Sequence, residues 1–304
     1  MDTGNLRPGL ARELALLLLL ATLWGASYTF IKLGVATIAP ITLITARTAI
    51  AGLLLLAIMR WRGVRLPRDG ATWRRFLLQA CLNSVIPWTL LAWGERSVDA
   101  GLATILNSAS PIFTFLLTAV TRHEAASPRK LFGVVAGMAG ICLIVGIEAF
   151  DAVAGGLVAE LAIVAAAICY ACAAIFGRNF RGLDPMAPAA GSLLAGAAFL
   201  IPASLVMERP WTTAPSAVSV LALLGLAVVS TALAFVIYFR LIQILGSVGT
   251  TAQAYLRVPI GVAIGVAVLG ERLSPTAWIG LACVVAGVAA MTIPAHTKAV
   301  LKAP

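Results

Sequence analysis

Apolar residues in this chain come in ten blocks of about 18–22, separated by short polar connections. A hydrocarbon slab ~30 Å thick is crossed by about 20 helical residues, so each block has the length of one crossing. The blocks predict helices at roughly 14–31, 41–59, 76–93, 101–120, 131–148, 156–176, 187–207, 218–238, 248–269 and 276–293. The chain is 61% hydrophobic and 11% charged. A soluble domain carries roughly 25% charged residues, which leaves an all-α integral membrane protein. The first block, with Arg12 ahead of it, has the look of a signal peptide. It stays apolar through Trp24 to Ile31 and nine further blocks follow, so it reads as an uncleaved first helix.

The blocks repeat. Glu124-Ala125-Ala126-Ser127-Pro128 before the fifth matches Glu271-Arg272-Leu273-Ser274-Pro275 before the tenth, 147 residues later. Gly133 and Gly140 match Gly280 and Gly287 at the same offset, and one residue of slippage brings Gly101 onto Gly249 and Pro111 onto Pro259. Two five-helix repeats, residues 1–150 and 151–304, follow from this. Five is odd, so the second repeat enters the membrane with reversed topology. Inverted repeats place a solute near the bilayer midplane between the halves. The net charge of +10 fits the same picture. With the amino terminus inside, sixteen Lys and Arg fall on the cytoplasmic side. Only Lys32, Arg96, Arg209 and Arg272 fall outside, and Arg47 and Arg257 lie within spans. That bias predicts both termini in the cytoplasm and needs no nucleic-acid partner.

Leu23-Trp24-Gly25 followed by Lys32, Ala100-Gly101-Leu102-Ala103, Ser110-Pro111 and Leu269-Gly270-Glu271-Arg272-Leu273-Ser274 carry a family resemblance over nearly the whole chain. The sequence resembles EamA-type carriers of the drug/metabolite transporter superfamily, and among its branches the aromatic amino-acid exporters of the YddG type. The resemblance implies ten helices in a bacterial inner membrane, alternating access, and export of amino acids or related metabolites. Uptake of a small organic anion or metabolite is the alternative. The chain departs from the family pattern at His123-Glu124, where Gly-Glu is usual. It departs again at Arg257 in Leu256-Arg257-Val258-Pro259, where many relatives carry an acidic residue.

Several residues are candidates for the solute path. Arg257 lies about nine residues into the ninth span, ~14 Å deep at 1.5 Å per residue. An arginine there costs at least ~2.5 kcal/mol unless it faces protein or water. It is either a two-pronged anchor for a substrate carboxylate or a structural arginine bonded to carbonyls freed near Pro259. Gln253, one turn back, offers a neutral partner for a substrate amine. Trp24, Ser27, Tyr28 and Ile31 share one face of the first helix. Asn83, Pro87 and Trp88 cluster on the third, and Thr104, Asn107, Ser108, Pro111 and Phe115 share a face of the fourth. Such faces meet another helix or a cavity, and the mixture of aromatic and polar groups favours the cavity. The expected substrate-binding set is therefore Trp24, Tyr28, Asn83, Trp88, Asn107, Gln253 and Arg257. Pro111 and Pro259 are expected hinges, and Arg47 and Glu160, which can pair with each other, expected gating or structural residues. Gly133/Gly137 and Ala282/Ala286, at small-xxx-small spacing, predict close packing of the fifth and tenth helices.

The sequence also lacks much. It has no HExxH, Walker A or GxSxG motif and no metal-spaced cluster, so no catalytic residue, cofactor or metal is expected and an ATP-driven pump has no support. No carboxylate or histidine falls near the middle of a span, which argues against proton exchange for cationic drugs. Cys81, Cys142, Cys169, Cys172 and Cys283 lie in apolar blocks and read as packed thiols, the Cys169/Cys172 pair included. The expected partners are a small-molecule substrate and the lipid bilayer, with the chain a monomer or weak homo-oligomer.

Overall fold

The structure, a computed structural model, describes residues 10–94, 106–121, 127–145, 157–212, 214–257, 260 and 275–293. Among them every regular element is helical: α1 (Leu10–Gly34), α2 (Pro40–Trp61), α3 (Gly70–Ala80), α4 (Ile86–Gly94), α5 (Ser110–Val120), α6 (Pro128–Val145), α7 (Leu157–Phe176), α8 (Met186–Met207), α9 (Ala217–Ala227), α10 (Ala234–Thr251) and α11 (Pro275–Thr292). In hydrocarbon a backbone must satisfy its own hydrogen bonds, and helices are how this sequence does so. Four helical stretches are long and apolar enough to cross a membrane: Pro40–Trp61, Leu157–Phe180, Met186–Met207 and Ala217–Thr251. Large apolar side chains such as Leu53, Phe132, Val158, Phe199, Leu221 and Ile279 point outward and are exposed. So much exposed apolar surface suits lipid and not water.

The repeat seen in sequence is a repeat of structure. Single π turns, Cys81–Val85 and Val228–Leu233, join α3 to α4 and α9 to α10, and they begin 147 residues apart. In the first, the Ile86 N–H reaches back five residues to the Cys81 carbonyl, just ahead of Pro87, which has no N–H to give. In the second, the Thr231 hydroxyl donates to the Leu226 carbonyl at 2.7 Å. The caps match as well: the Asp69 carboxylate accepts the Thr72 N–H, and the Ser216 hydroxyl accepts the Ser219 N–H. The first bond holds the Asp69 carboxyl below its ordinary range. The helices α6 and α11 begin and end at the same offset.

Matched helices pack together, α2 on α8 and α6 on α11, while α4 lies on α7 as α1 lies on α9 and α10. The α6–α11 contact reveals its symmetry. Gly133 meets Gly287 and Gly140 meets Gly280, so the two helices run antiparallel and exchange equivalent residues. A Cβ on Gly287 would sit 2.7 Å from the Gly133 carbonyl oxygen and 2.7 Å from the Gly137 nitrogen. The expected register on α11 is thereby corrected. Ala282 and Ala286 are exposed, and the buried seam runs through Gly280, Val284, Gly287 and Met291. Glycine rather than alanine permits backbones this close.

Two expected span boundaries move. The helix beginning at Ala217 does not stop near residue 238. It runs to Gly246, whose φ of 74° and ψ of −177° break it before Ser247 starts the next segment. Arg240 and Gln243 interrupt the apolar pattern without ending the helix, because both find protein partners. Arg240 meets Glu13 at 3.4 Å and Gln243 donates to the Leu183 carbonyl at 3.2 Å. The fourth span is also not continuous: Ser108 and Ala109 form a turn, and Pro111 stands in the first turn of α5 instead of kinking its middle. There a proline costs no hydrogen bond. At the α1–α2 end, the Glu208 carboxylate following α8 accepts the Ile41 and Thr42 N–H groups at 3.0 and 2.6 Å. It caps α2 with negative charge where the helix dipole is positive.

Candidate functional site

A cavity of about 500 Å³ lies between the two repeats. The helices α1, α2, α4, α5, α7, α9 and α10, the first π turn, Asn107 and the segment after Gly246 all contribute to its wall. Its mouth is at the α1–α2 end, where the exposed residues Val35 and Pro40 line it. At the far end the ring stack closes the path. Phe76 and Phe180 lie 5.4 Å apart, Phe180 and Phe239 5.9 Å apart, and all three are buried.

The structure brings together most of the residues singled out from sequence. Trp24, Asn83, Trp88, Asn107, Gln253, Arg257 and Arg47 all line this one cavity. The Tyr28 side chain, Thr104 and Pro259 lie outside the described residues. Glu160 and Pro111 do not line the cavity, and Pro111 is buried behind it.

Arg257 is half-buried, and its Nε donates to the Gln253 Oε1 at 2.9 Å. Its guanidinium carbon stands 5.0 Å from the Trp24 ring centroid. The bond from Nε locks the guanidinium plane, so the Nη groups remain to act as a fork. The Gln253 carbonyl oxygen thus already accepts one hydrogen bond from Arg257, which leaves one lone pair for an amine. Arg47 is redirected. Its Nε donates to the Thr231 hydroxyl at 2.6 Å and its guanidinium stacks 3.9 Å over Trp88, so it does not pair with Glu160. A neutral hydroxyl and an aromatic face attend this buried cation, and Tyr170 shares the cavity wall with it.

The remaining wall is aromatic and amide. Phe235 makes edge contacts with Trp24 at 6.3 Å and with Trp88 at 6.5 Å, and Tyr238 tilts against Trp24 at 5.5 Å. Asn83 and Asn107 are buried, and the Asn83 amide nitrogen and Asn107 amide oxygen have no partner among the described residues. Buried polar atoms are normally satisfied, so a carboxamide donor and acceptor left free in a cavity wall are suited to a polar guest. No aspartate or glutamate stands among the described lining residues. The wall thus combines two cations, free amides and five large rings, Tyr170 being the fifth.

Sequence inspection passed over Tyr170, Phe235, Tyr238 and Thr231. A signal existed for Phe235, whose counterpart Trp88, at the repeat offset of 147, stands among the candidates read from sequence. Tyr238, Thr231 and Tyr170 have no such signal, because their counterparts Leu91, Ser84 and Leu23 do not stand among them.

Known proteins agree with this architecture. The EamA-like transporter family matches residues 11–146 and again residues 157–293, one match to each repeat. The inner membrane transporter YedA of Escherichia coli K12, described as uncharacterized, is 28% identical over 281 residues, 89% of this chain and 87% of that protein. A probable terminal-alkyne amino-acid exporter of Streptantibioticus cattleyicolor is 28% identical over 92% of this chain and 93% of its own. A probable amino-acid metabolite efflux pump of Escherichia coli K12 is 28% identical over 90% and 92%. One crystal structure superposes with a TM-score of 0.74 at 18% identity, over 93% of this chain and 96% of the other, and shares the fold. With both halves matched, this multi-pass membrane protein belongs to the EamA-like transporter family.

Proposed function

We propose that this chain is an alternating-access carrier that exports neutral, chiefly aromatic, amino acids and related metabolites across a bacterial inner membrane. In this reading it has ten transmembrane helices in two inverted five-helix repeats. The antiparallel, residue-exchanging contact of α6 with α11 supports the inversion, because matched helices that run antiparallel cross one membrane in opposite senses. The observation that carries the substrate reading is Arg257. It is a planar cation with its fork free, in a cavity walled by Trp24, Trp88, Phe235 and Tyr238 and lacking a described carboxylate. The substrate carboxylate bonds the Arg257 fork and accepts from the Asn83 amide N–H, its ammonium donates to the Asn107 carboxamide oxygen, and its side chain lies on the rings. Two relatives named for amino-acid export support the same class. Pro259 and the turn at Ser108–Ala109 that leads into Pro111 act as hinges, while Arg47 ties α2 to the α9–α10 π turn across the halves. Transport is secondary or facilitative.

Counterflow in proteoliposomes tests it. Vesicles loaded with unlabelled L-tryptophan should accumulate labelled tryptophan, and phenylalanine should compete. An absence of counterflow for every neutral amino acid would overturn the substrate class. The presence of both Arg47 and Arg257 favours a second reading, uptake of a small organic anion. Competition by an aromatic keto acid that exceeds competition by the amino acid would select it.

Topology is open to a separate test. Both termini are expected in the cytoplasm, from the distribution of Lys and Arg. On a cysteine-free background, a membrane-impermeant thiol reagent added to intact cells should label Asp99→Cys and not Arg68→Cys. The reverse pattern would invert the assignment.

A further inference from the structure

Two polar side chains outside the cavity lining are fully buried and make no side-chain hydrogen bond among the described residues. Gln79, in the last turn of α3, has neither amide atom in a hydrogen bond among the described residues, with the Tyr238 hydroxyl of α10 beside it as a polar neighbour. Ser230, inside the second π turn, has an unpartnered hydroxyl. Both are 0% exposed. Orphaned groups of this kind are rare in a settled interior. Their place in the repeat accounts for them. At the offset of 147, Gln79 corresponds to Leu226 and Ser230 to Asn83, and both Leu226 and Asn83 line the open cavity. The orphans hold, on the closed side, the positions that their counterparts hold on the open side.

The helix ends obey the same relation. Glu13, in the first turn of α1, corresponds to Glu160 in the first turn of α7. Glu13 is 7% exposed and pairs with Arg240 at 3.4 Å, at the end sealed by Phe76, Phe180 and Phe239. Glu160 is half-buried and unpaired among the described residues. One end is latched and its symmetric counterpart is not.

We propose that Gln79 and Ser230 line a second cavity, symmetric to the first and closed here. It opens at the α2–α3 end when the first closes, and there the two side chains contact the transported molecule. The Glu13–Arg240 pair holds it shut. This inference rests on the two-state carrier reading above, and it explains why an orphaned amide persists: the group is satisfied in the other state.

The test uses a transport-competent protein in which the five native cysteines are replaced. Leu226→Cys should react with a membrane-impermeant thiol reagent from the face of the α1–α2 connection, and Ser230→Cys from the opposite face. Gln79→Leu, which installs the counterpart's side chain, removes an unsatisfied amide from the present state only. It should therefore raise Tm, and lower both Ser230→Cys labelling and tryptophan counterflow roughly ten-fold. Reaction of Ser230→Cys from the same face as Leu226→Cys, or from neither face while transport persists, would overturn the proposal. So would a Gln79→Leu protein with unchanged Tm and unchanged counterflow, a measurement that stands even where Ser230→Cys fails to fold. Labelling needs no knowledge of the substrate. Opposite-face labelling in a protein that transports no amino acid supports the second cavity and overturns the substrate reading.

Discussion

Gly287→Leu is expected to abolish the folded protein or lower its Tm by well over 5 °C, whereas Ala286→Leu, one residue away, should be neutral. At Gly287 the added atoms meet backbone on both sides: the Gly133 carbonyl oxygen and the Gly137 nitrogen each lie 2.7 Å from the first of them. Backbone cannot rotate aside as a side chain can. Overpacking a tight interior costs about 1–3 kcal/mol where side chains yield, and more where they do not. Gly287 is also half of a symmetric pair of contacts, so parting α6 from α11 there strains the Gly140–Gly280 crossing as well. Ala286 is exposed, and a leucine there adds apolar surface facing lipid. Thermal unfolding in detergent, with the fraction of monodisperse protein, measures both. Equal Tm values for the two variants would mean that the glycine seam does not hold these helices together.

Arg257→Ala should lower the affinity for neutral amino acids roughly a hundred-fold while leaving the protein folded. Truncating one partner of a desolvated, hydrogen-bonded charge pair costs about 2–5 kcal/mol. Within the protein, Arg257 loses only its bond to Gln253 and its contact with Trp24, both at the cavity wall. Arg257→Lys retains the charge but cannot hold Gln253 and present two donors in a plane at once, so a loss of about ten-fold is expected. Arg47 behaves differently. Its neighbours Thr231 and Trp88 belong to different halves, so its replacement should alter stability and rate before affinity. The concentration dependence of counterflow separates these effects.

The membrane class and the two-fold repeat are legible in the sequence because each rests on features that cannot be faked by packing. Twenty apolar residues cross one bilayer, and Glu-x-x-Ser-Pro followed by two glycines in register marks two copies of one unit. Helix faces are less legible. In water an apolar stripe marks the buried side, but in lipid both sides are apolar. That is why Ala282/Ala286 looked as good a seam as Gly280/Gly287. The candidate site was readable because polar and aromatic side chains are costly against lipid and must gather somewhere. What they bond once gathered was not readable. Spacing brings Gln253 beside Arg257 but does not say that its oxygen accepts from Arg257, and nothing local reveals that Arg47 reaches Thr231, 184 residues away. A more systematic use of the repeat would have recovered more. Residues 10–15 and 157–162 share Leu, Glu, Leu and Ala in register, which pairs Glu13 with Glu160. The same offset carries Trp88 onto Phe235.

In the proposed complex a substrate carboxylate binds Arg257 inside an aromatic cavity. Binding of L-tryptophan and of L-tryptophanamide to the purified protein, by titration calorimetry, tests it without transport or coupling. The two ligands share the ring and the amine and differ at the carboxyl group. The account predicts that the intact protein binds tryptophan at least ten-fold more tightly than its amide, and that Arg257→Ala binds the two alike. Equal affinity of the intact protein for both, or a preference for the carboxylate that survives in Arg257→Ala, would contradict it.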